Sequence, residues 1–359
     1  MSRYLLRDFT ERDDTLHGLS ALLVIKSQDQ VERRRNLLAS RKGGRFGRIT
    51  QRPIGDGLLV QGWFANDRFV LEKSADFEEC RHAHFWDNKT IFLTEIDRIS
   101  IVDTTNMTVI DRLTYPYFAF LHTIDLSTDG RYALITSSGY DAVFELEVNT
   151  GDVERSWFAW DHGFNPDGDG VWLAADKETY NAYCGEGKEA LLVDPADYGR
   201  QGLLTARRTA HPNMAVYDPY DDERSFLLCI GHNGEIYRVD RETHATTKVF
   251  EAGAQMPHGL RPYQDGWCLT NTVKGEWWVL TKDFELHEVY SVAEMSGKVP
   301  GTENVEWVQQ VVPWDERHVL FIDANRGLIA VDLEEQAYTI YQPDSNWCIQ
   351  DAVKLDEAQ

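Results

Sequence analysis

A chain of 359 residues has room for two average domains or for one large closed β fold. Its composition, 42% hydrophobic with 11 Trp, 15 Tyr and 16 Phe, supplies a large core and excludes intrinsic disorder. The formal net charge of −23, from 36 Lys and Arg against 59 Asp and Glu, repels polyanions and excludes general nucleic-acid binding.

The opening residues, Met1 to Asp8, hold no apolar run of signal-peptide length, and no stretch approaches the roughly 18 apolar residues of a membrane helix. Five scattered cysteines (Cys80, Cys184, Cys229, Cys268, Cys348) form no Cys-x-x-Cys pair, which fits a reducing compartment. A cytoplasmic protein without membrane contact is expected. One basic stretch, Arg33-Arg34-Arg35 through Arg41-Lys42, Arg45 and Arg48, stands out in the acidic chain; it reads either as a solvated hairpin or as an anion-binding or docking patch.

Beyond it, runs of β-branched and aromatic residues closed by Gly, Asp or Asn recur, and helical periodicity is scarce. Looser runs lie at 90–94 and 267–270. The stretch 132–152 reads strand, turn, strand, turn, and the same grammar returns at 226–240 and 319–332. A unit repeating at such spacing predicts an all-β fold, a single β-propeller, which shields its sheet edges by closing into a ring. Anchored on His84, His122, His162, His211, His258, Gln310 and Gln350, the repeats are 38 to 52 residues apart. This favours seven blades, with six as the alternative. The ring is expected to close by pairing a C-terminal strand at about 347–354 with N-terminal strands such as 22–25.

In such a ring the first strand of every blade lines the central channel, so polar residues at the same place in successive repeats converge. One histidine is more often a hydrogen-bonded structural residue; several in register point to a shared polar site. Trp157, Trp160, Trp277 and Trp278 read as packing between blades or as walls of an aromatic pocket. The run Asn165 to Gly170 resembles a calcium loop without its later acidic ligand and reads as a turn. No Gly-rich phosphate loop, Gly-x-Ser-x-Gly elbow or His-Glu-x-x-His motif is present.

The segment His211-Pro212-Asn213-Met214 to Asp222, followed by Gly231-His232-Asn233-Gly234-Glu235-Ile236-Tyr237, resembles the central blade of arylsulfotransferase-type propellers. His122 in Leu121-His122-Thr123-Ile124-Asp125 and His258 in His258-Gly259-Leu260-Arg261-Pro262 resemble that family's other inward histidine blades, so the likeness spans about residues 118–290. It implies metal-free group transfer with His258 as the nucleophile and His122 and His211 stabilising charge or moving protons. Where that family carries an arginine before the blade turn, this chain has Gly231, and Arg261 or Arg326 would have to supply the positive charge that a transferring anion needs.

The same residues suit a second chemistry. Imidazoles of His84, His122, His211 and His258 form a donor set for a divalent metal, Fe(II) ahead of Zn(II) or Mn(II), with Asp125 and Glu306 as carboxylates that orient the ligands. The four-histidine iron site of carotenoid-cleaving oxygenases is a structural analogy for it. A metal-dependent oxygenase, lyase or hydrolase acting on a small aromatic or unsaturated molecule is the leading expectation. The alternatives are the metal-free transfer above and a non-catalytic scaffold that binds a protein or ligand.

Overall fold

The computed structural model describes residues 1–30, 50–251, 253 and 256–355; the whole basic stretch between Arg33 and Arg48 lies outside them. Among the described residues the strands assemble into six sheets around one axis, each built on four antiparallel strands, a six-bladed β-propeller, together with one separate two-stranded sheet. Blade I combines Ile349–Leu355 as its innermost strand with Ser20–Ile25, Asp56–Ala65 and Arg68–Glu78. Blades II to VI follow in chain order, their innermost strands being His82–Phe85, Leu121–Leu126, Pro212–Tyr217, Pro257–Tyr263 and Val308–Pro313.

The alternation of side chains along the second strand of each blade explains how the blades cohere. In Ser20–Ile25, Leu22 and Val24 pack toward blade II with Ile91 and Leu93, while Ala21, Leu23 and Ile25 pack toward blade VI with Leu320 and Ile322. A strand buried on both faces therefore needs an unbroken apolar run, as Ala21-Leu22-Leu23-Val24-Ile25 has. The pattern repeats around the ring, and the six apolar clusters correspond to the six junctions between neighbouring blades. Trp157, Trp160, Trp277 and Trp278 all belong to these clusters and are buried.

Six blades, and not the favoured seven, result because His162 opens no blade. It sits in the 3-10 turn Ala159–His162 at the end of blade III, where its ring stacks on Trp157 at 5.2 Å. Residues 159–208 form an insertion between blades III and IV: the helix Lys177–Gly185, capped by Asp176, connects the parallel strands Trp172–Ala174 and Ala190–Leu192. Leu173, Val193 and Leu203 anchor it in the cluster between blades II and III. A gap read as two blades is one blade plus this insertion.

The N-terminal residues run outside the ring before entering it. Ser2–Leu5 pairs in parallel with Leu286–Ser291 as a fifth strand of blade V, and Thr10–Glu11 does the same beside Ala337–Tyr341 in blade VI. Between them Leu6 is fully buried and Phe9 nearly so, against Trp277, Tyr290 and Tyr338. Leu6→Ala is expected to cost about 3 kcal/mol of unfolding free energy, the range for a buried Leu truncated to Ala, measured by urea denaturation. A loss below about 1 kcal/mol would show that this segment contributes little to the core.

Candidate functional site

Each innermost strand except that of blade II contains a β-bulge near its start, between Leu121 and Ile124, Pro212 and Met214, His258 and Arg261, Val308 and Gln310, and Ile349 and Asp351. The residues just after the first paired position, His122, Asn213, His258, Gln309 and Gln350, are therefore equivalent. Blade II places Arg81 there: the next backbone N–H, that of His82, donates to the Thr94 hydroxyl at 3.0 Å, as that of Thr123 donates to Thr136 at 2.8 Å. Two residues earlier, Glu79, Phe120, His211 and Met256 all take left-handed backbone with φ between 50° and 56°. The same strained turn therefore recurs at the entry to four successive blades.

Three of the expected histidines meet. The His122 ring lies 5.6 Å from that of His211 and 5.9 Å from that of His258, and Phe120 is 6.1 Å from His122 and 6.4 Å from His211. His84 does not join them. It lies three residues beyond Arg81 on its strand, about 10 Å along at ~3.3 Å per residue, where its Nε2 is 3.5 Å from Asp125 Oδ1 and its Nδ1 2.9 Å from the Phe85 carbonyl. Asp125 thus pairs with His84 and accepts the Tyr217 N–H at 2.8 Å. Glu306 is engaged by Lys298 and Arg326, and Arg326 is buried in a pair with Asp323, so neither serves the histidines. Arg261 shares the register of Asp125 and His84, on the far side of its bulge from His258. Gln310 is one residue past the inward position and donates to Asp351.

The hydrogen bonds fix which nitrogen carries the proton. Arg208 Nη1 lies 3.3 Å from His211 Nδ1; a guanidinium only donates, so Nδ1 accepts and the proton of neutral His211 sits on Nε2. His258 Nδ1 is 2.9 Å from the Met256 carbonyl and 2.8 Å from the Thr272 hydroxyl; a carbonyl only accepts, so Nδ1 carries the proton and the lone pair is on Nε2. Burial, then Arg81, holds His122 well below the usual imidazole range, and burial, then Arg208, does the same for His211. Both are neutral at pH 7. His232 stacks on His211 at 5.5 Å and is pushed down to about 4 by burial and Arg208.

Asp141, buried and itself left-handed, sets the approach to the site by accepting the His211 N–H at 2.7 Å and bonding Thr209. Gly231, noted above for the arginine it replaces, is required by packing. A Cβ there would lie 2.8 Å from Asn213 Nδ2 and 2.9 Å from the His211 carbonyl.

Sequence reasoning missed the cations. Arg81, Arg208, Arg52 and Lys26 surround Phe120, their charged groups 3.6, 4.4, 5.4 and 5.5 Å from its ring centroid. Arg81 was legible as the blade II counterpart of His122; Arg208 comes from the insertion, and Arg52 and Lys26 from the two ends of the loop between the second and third strands of blade I. Together with Gln201 and Leu203 most of these line a cavity of about 100 Å³ at the channel mouth.

This setting does not fit the divalent metal expected of His84, His122, His211 and His258. One of the four is elsewhere, another has its Nδ1 taken by a guanidinium, and the surrounding cations repel a further one. Among the described residues no group of three or more His, Cys, Asp or Glu is arranged to hold a metal ion, and no helix is long and apolar enough to cross a membrane.

No protein-family model and no curated protein matches the sequence. Solved structures match in fold. A nidogen/laminin complex is 12% identical, with 93% of this chain and 97% of that chain covered and a TM-score of 0.52. A protein of unknown function from Bacteroides caccae is 11% identical over 95% of this chain and 100% of that chain, also at 0.52. The Cps50 (Swd1) β-propeller domain of Myceliophteria thermophila is 12% identical at a TM-score of 0.43 over 70% of this chain, which spans 64% of that domain. The chain is similar in overall fold to the two matches at a TM-score of 0.52. At these identities the likeness is one of fold.

Gly231→Ala should destabilise the protein by about 1–3 kcal/mol, as overpacking does, seen as a lowered Tm; an unchanged Tm would mean the approach to Asn213 relaxes freely. The insertion is tied to blades I and II by Arg200, which donates to Glu78 of blade I at 2.6 Å and to Asp97 of blade II at 2.9 Å. The Arg200 hydrogen bond, then Arg98, holds Glu78 down to about 2 against burial. A depressed carboxylate stabilises above its ordinary value near 4.5 and loses that contribution as pH falls toward 2. Both groups are substantially exposed, so the tie contributes at most about 1 kcal/mol. The protection of the amides at 199–208 against hydrogen exchange, taken relative to the intrinsic rate at each pH, should fall over that pH window in the wild type and be low throughout in Arg200→Ala.

Proposed function

We propose that the chain is an enzyme acting on a small molecule in the axial pocket, with His258 and His211 as a fixed base and acid and no metal in the proton-moving steps. The carrying observation is the opposite tautomers of the two imidazoles. The Met256 carbonyl draws on the Nδ1 proton of His258 and raises the basicity of its Nε2, which takes a proton from the substrate or attacks it. Arg208 polarises His211 the other way and makes its Nε2–H a better donor. His122, in ring contact with both, is half-buried and completes the polar wall.

Metal-free transfer of the arylsulfotransferase kind is compatible with this arrangement. The positive charge that Gly231 does not supply is present in Arg81 and Arg208 rather than in Arg261 or Arg326. A charged transition state forming beside them has fixed cations that need no reorganisation.

The test has two parts. Long-range proton–nitrogen NMR of the imidazoles should show Nε2–H for His211 and Nδ1–H for His258. A turnover screen of small aromatic esters, sulfates and carboxylates should yield a substrate whose conversion drops about 10²- to 10⁴-fold in both His258→Ala and His211→Ala. Turnover that survives both substitutions overturns the acid–base assignment; a ligand that binds on the axis without being converted supports a binding scaffold instead. Turnover that appears only with added Fe(II), Zn(II) or Mn(II) would return the histidines to metal ligation.

A further inference from the structure

The cations at the channel mouth are out of balance with the acids that face them. Glu79, fully buried, pairs with Arg52, Arg81 and, at 3.9 Å, Lys26. Arg208 bonds the carbonyls of Leu203 and Gln201 and the His211 ring, and among the described residues no carboxylate forms an ion pair with it; Asp141 offsets part of its charge. Among the described residues three guanidinium groups, those of Arg52, Arg81 and Arg208, therefore meet two carboxylates, Glu79 and Asp141, in a protein whose overall charge is −23.

A second observation concerns hydrogen bonds. Arg81 is 2% exposed, and its Nε and Nη1 have no hydrogen-bond partner among the described residues. A buried guanidinium with unmet donors is costly, and acceptor oxygens relieve that cost. Arg81 and Arg208 both lie within cation–π reach of the Phe120 ring, which holds their charges close together. The adjoining cavity of about 100 Å³, which Lys26, Arg52, Phe120 and Arg208 line, is roomy enough to admit one oxyanion group.

We propose that the channel mouth is an oxyanion-binding subsite: Arg81, Arg208 and Arg52 donate to a phosphate, sulfate or carboxylate group of the substrate, and Lys26 adds charge. This rests on the axial site being the place of chemistry and names the substrate class it takes. With the group held beside Phe120, the remainder of the molecule faces His122 and His211, whose rings adjoin that of Phe120 at 6.1 and 6.4 Å. The subsite positions and desolvates the anion, and selects against neutral and cationic molecules.

Isothermal titration of the full chain with inorganic phosphate, sulfate and benzoate, at constant ionic strength, reads the subsite without requiring turnover. At least one should bind saturably, and which one does distinguishes a tetrahedral group from a carboxylate. Arg52→Gln, at a partly exposed side chain, and Arg208→Gln should weaken binding about tenfold, the loss of one charge-assisted hydrogen bond from a partly wet site. Arg155→Gln, on an outer strand of blade III, should leave it unchanged. Absence of saturable binding by the folded wild type overturns the proposal, as does equal weakening by all three substitutions or no weakening by Arg52→Gln. Anion binding with no converted substrate would sink the catalytic reading and leave the subsite standing; turnover of neutral molecules without anion binding would do the reverse.

Discussion

The pairing of Ile349–Leu355 with Ser20–Ile25 joins the last strand of the chain to one of the first. Six twisted sheets arranged around an axis leave two free edges unless such a bond closes the circle, and a closed circle fixes the distance from every innermost strand to the axis. Everything in the candidate site depends on that distance. His122, His211 and His258 are 136 residues apart at the extremes of sequence, yet their rings touch because three successive blades deliver them to one point.

The interior of the channel works by opposition of charge. Carbonyl and hydroxyl acceptors set His258, a guanidinium sets His211, and burial keeps His122 and His211 neutral among cations that would otherwise demand counter-ions. Neutral imidazoles can donate and accept protons near pH 7, whereas protonated ones can only donate. Glu79 is the counterweight: a single buried carboxylate holds Arg52 and Arg81 close to each other and to Phe120. Its position in the blade II equivalent of Phe120 shows how one structural slot serves as aromatic platform in one blade and as charge anchor in the next.

The insertion 159–208 adds a cation to the axis at small structural cost. It interrupts no blade, because it leaves after the last strand of blade III and returns just before the first of blade IV. Its end brings Arg208 to the axis, and Gln201 bonds the Arg52 carbonyl, so two chain segments that flank the mouth brace each other. Leu203 ties the same segment to blade III through the Gly139 carbonyl at 2.8 Å.

The sequence by itself determined the all-β class, the repeated strand–turn grammar and the apolar runs of the doubly buried strands, because alternation and turn chemistry are local. It also singled out His122, His211 and His258, although it treated as equivalent to His122 and His258 not only His84, His162 and Gln310 but also His211, all of which occupy other registers. A one- to three-residue offset is invisible in a motif; it becomes decisive only when bulges and bridge partners set which residue faces the axis. Blade number was likewise a tertiary matter, since an insertion and a blade have similar length and only packing separates them. The cluster of Lys26, Arg52, Arg81 and Arg208 was illegible for the same reason: its members come from blades I and II and from the insertion, and only the closed ring brings their charges to one ring of Phe120.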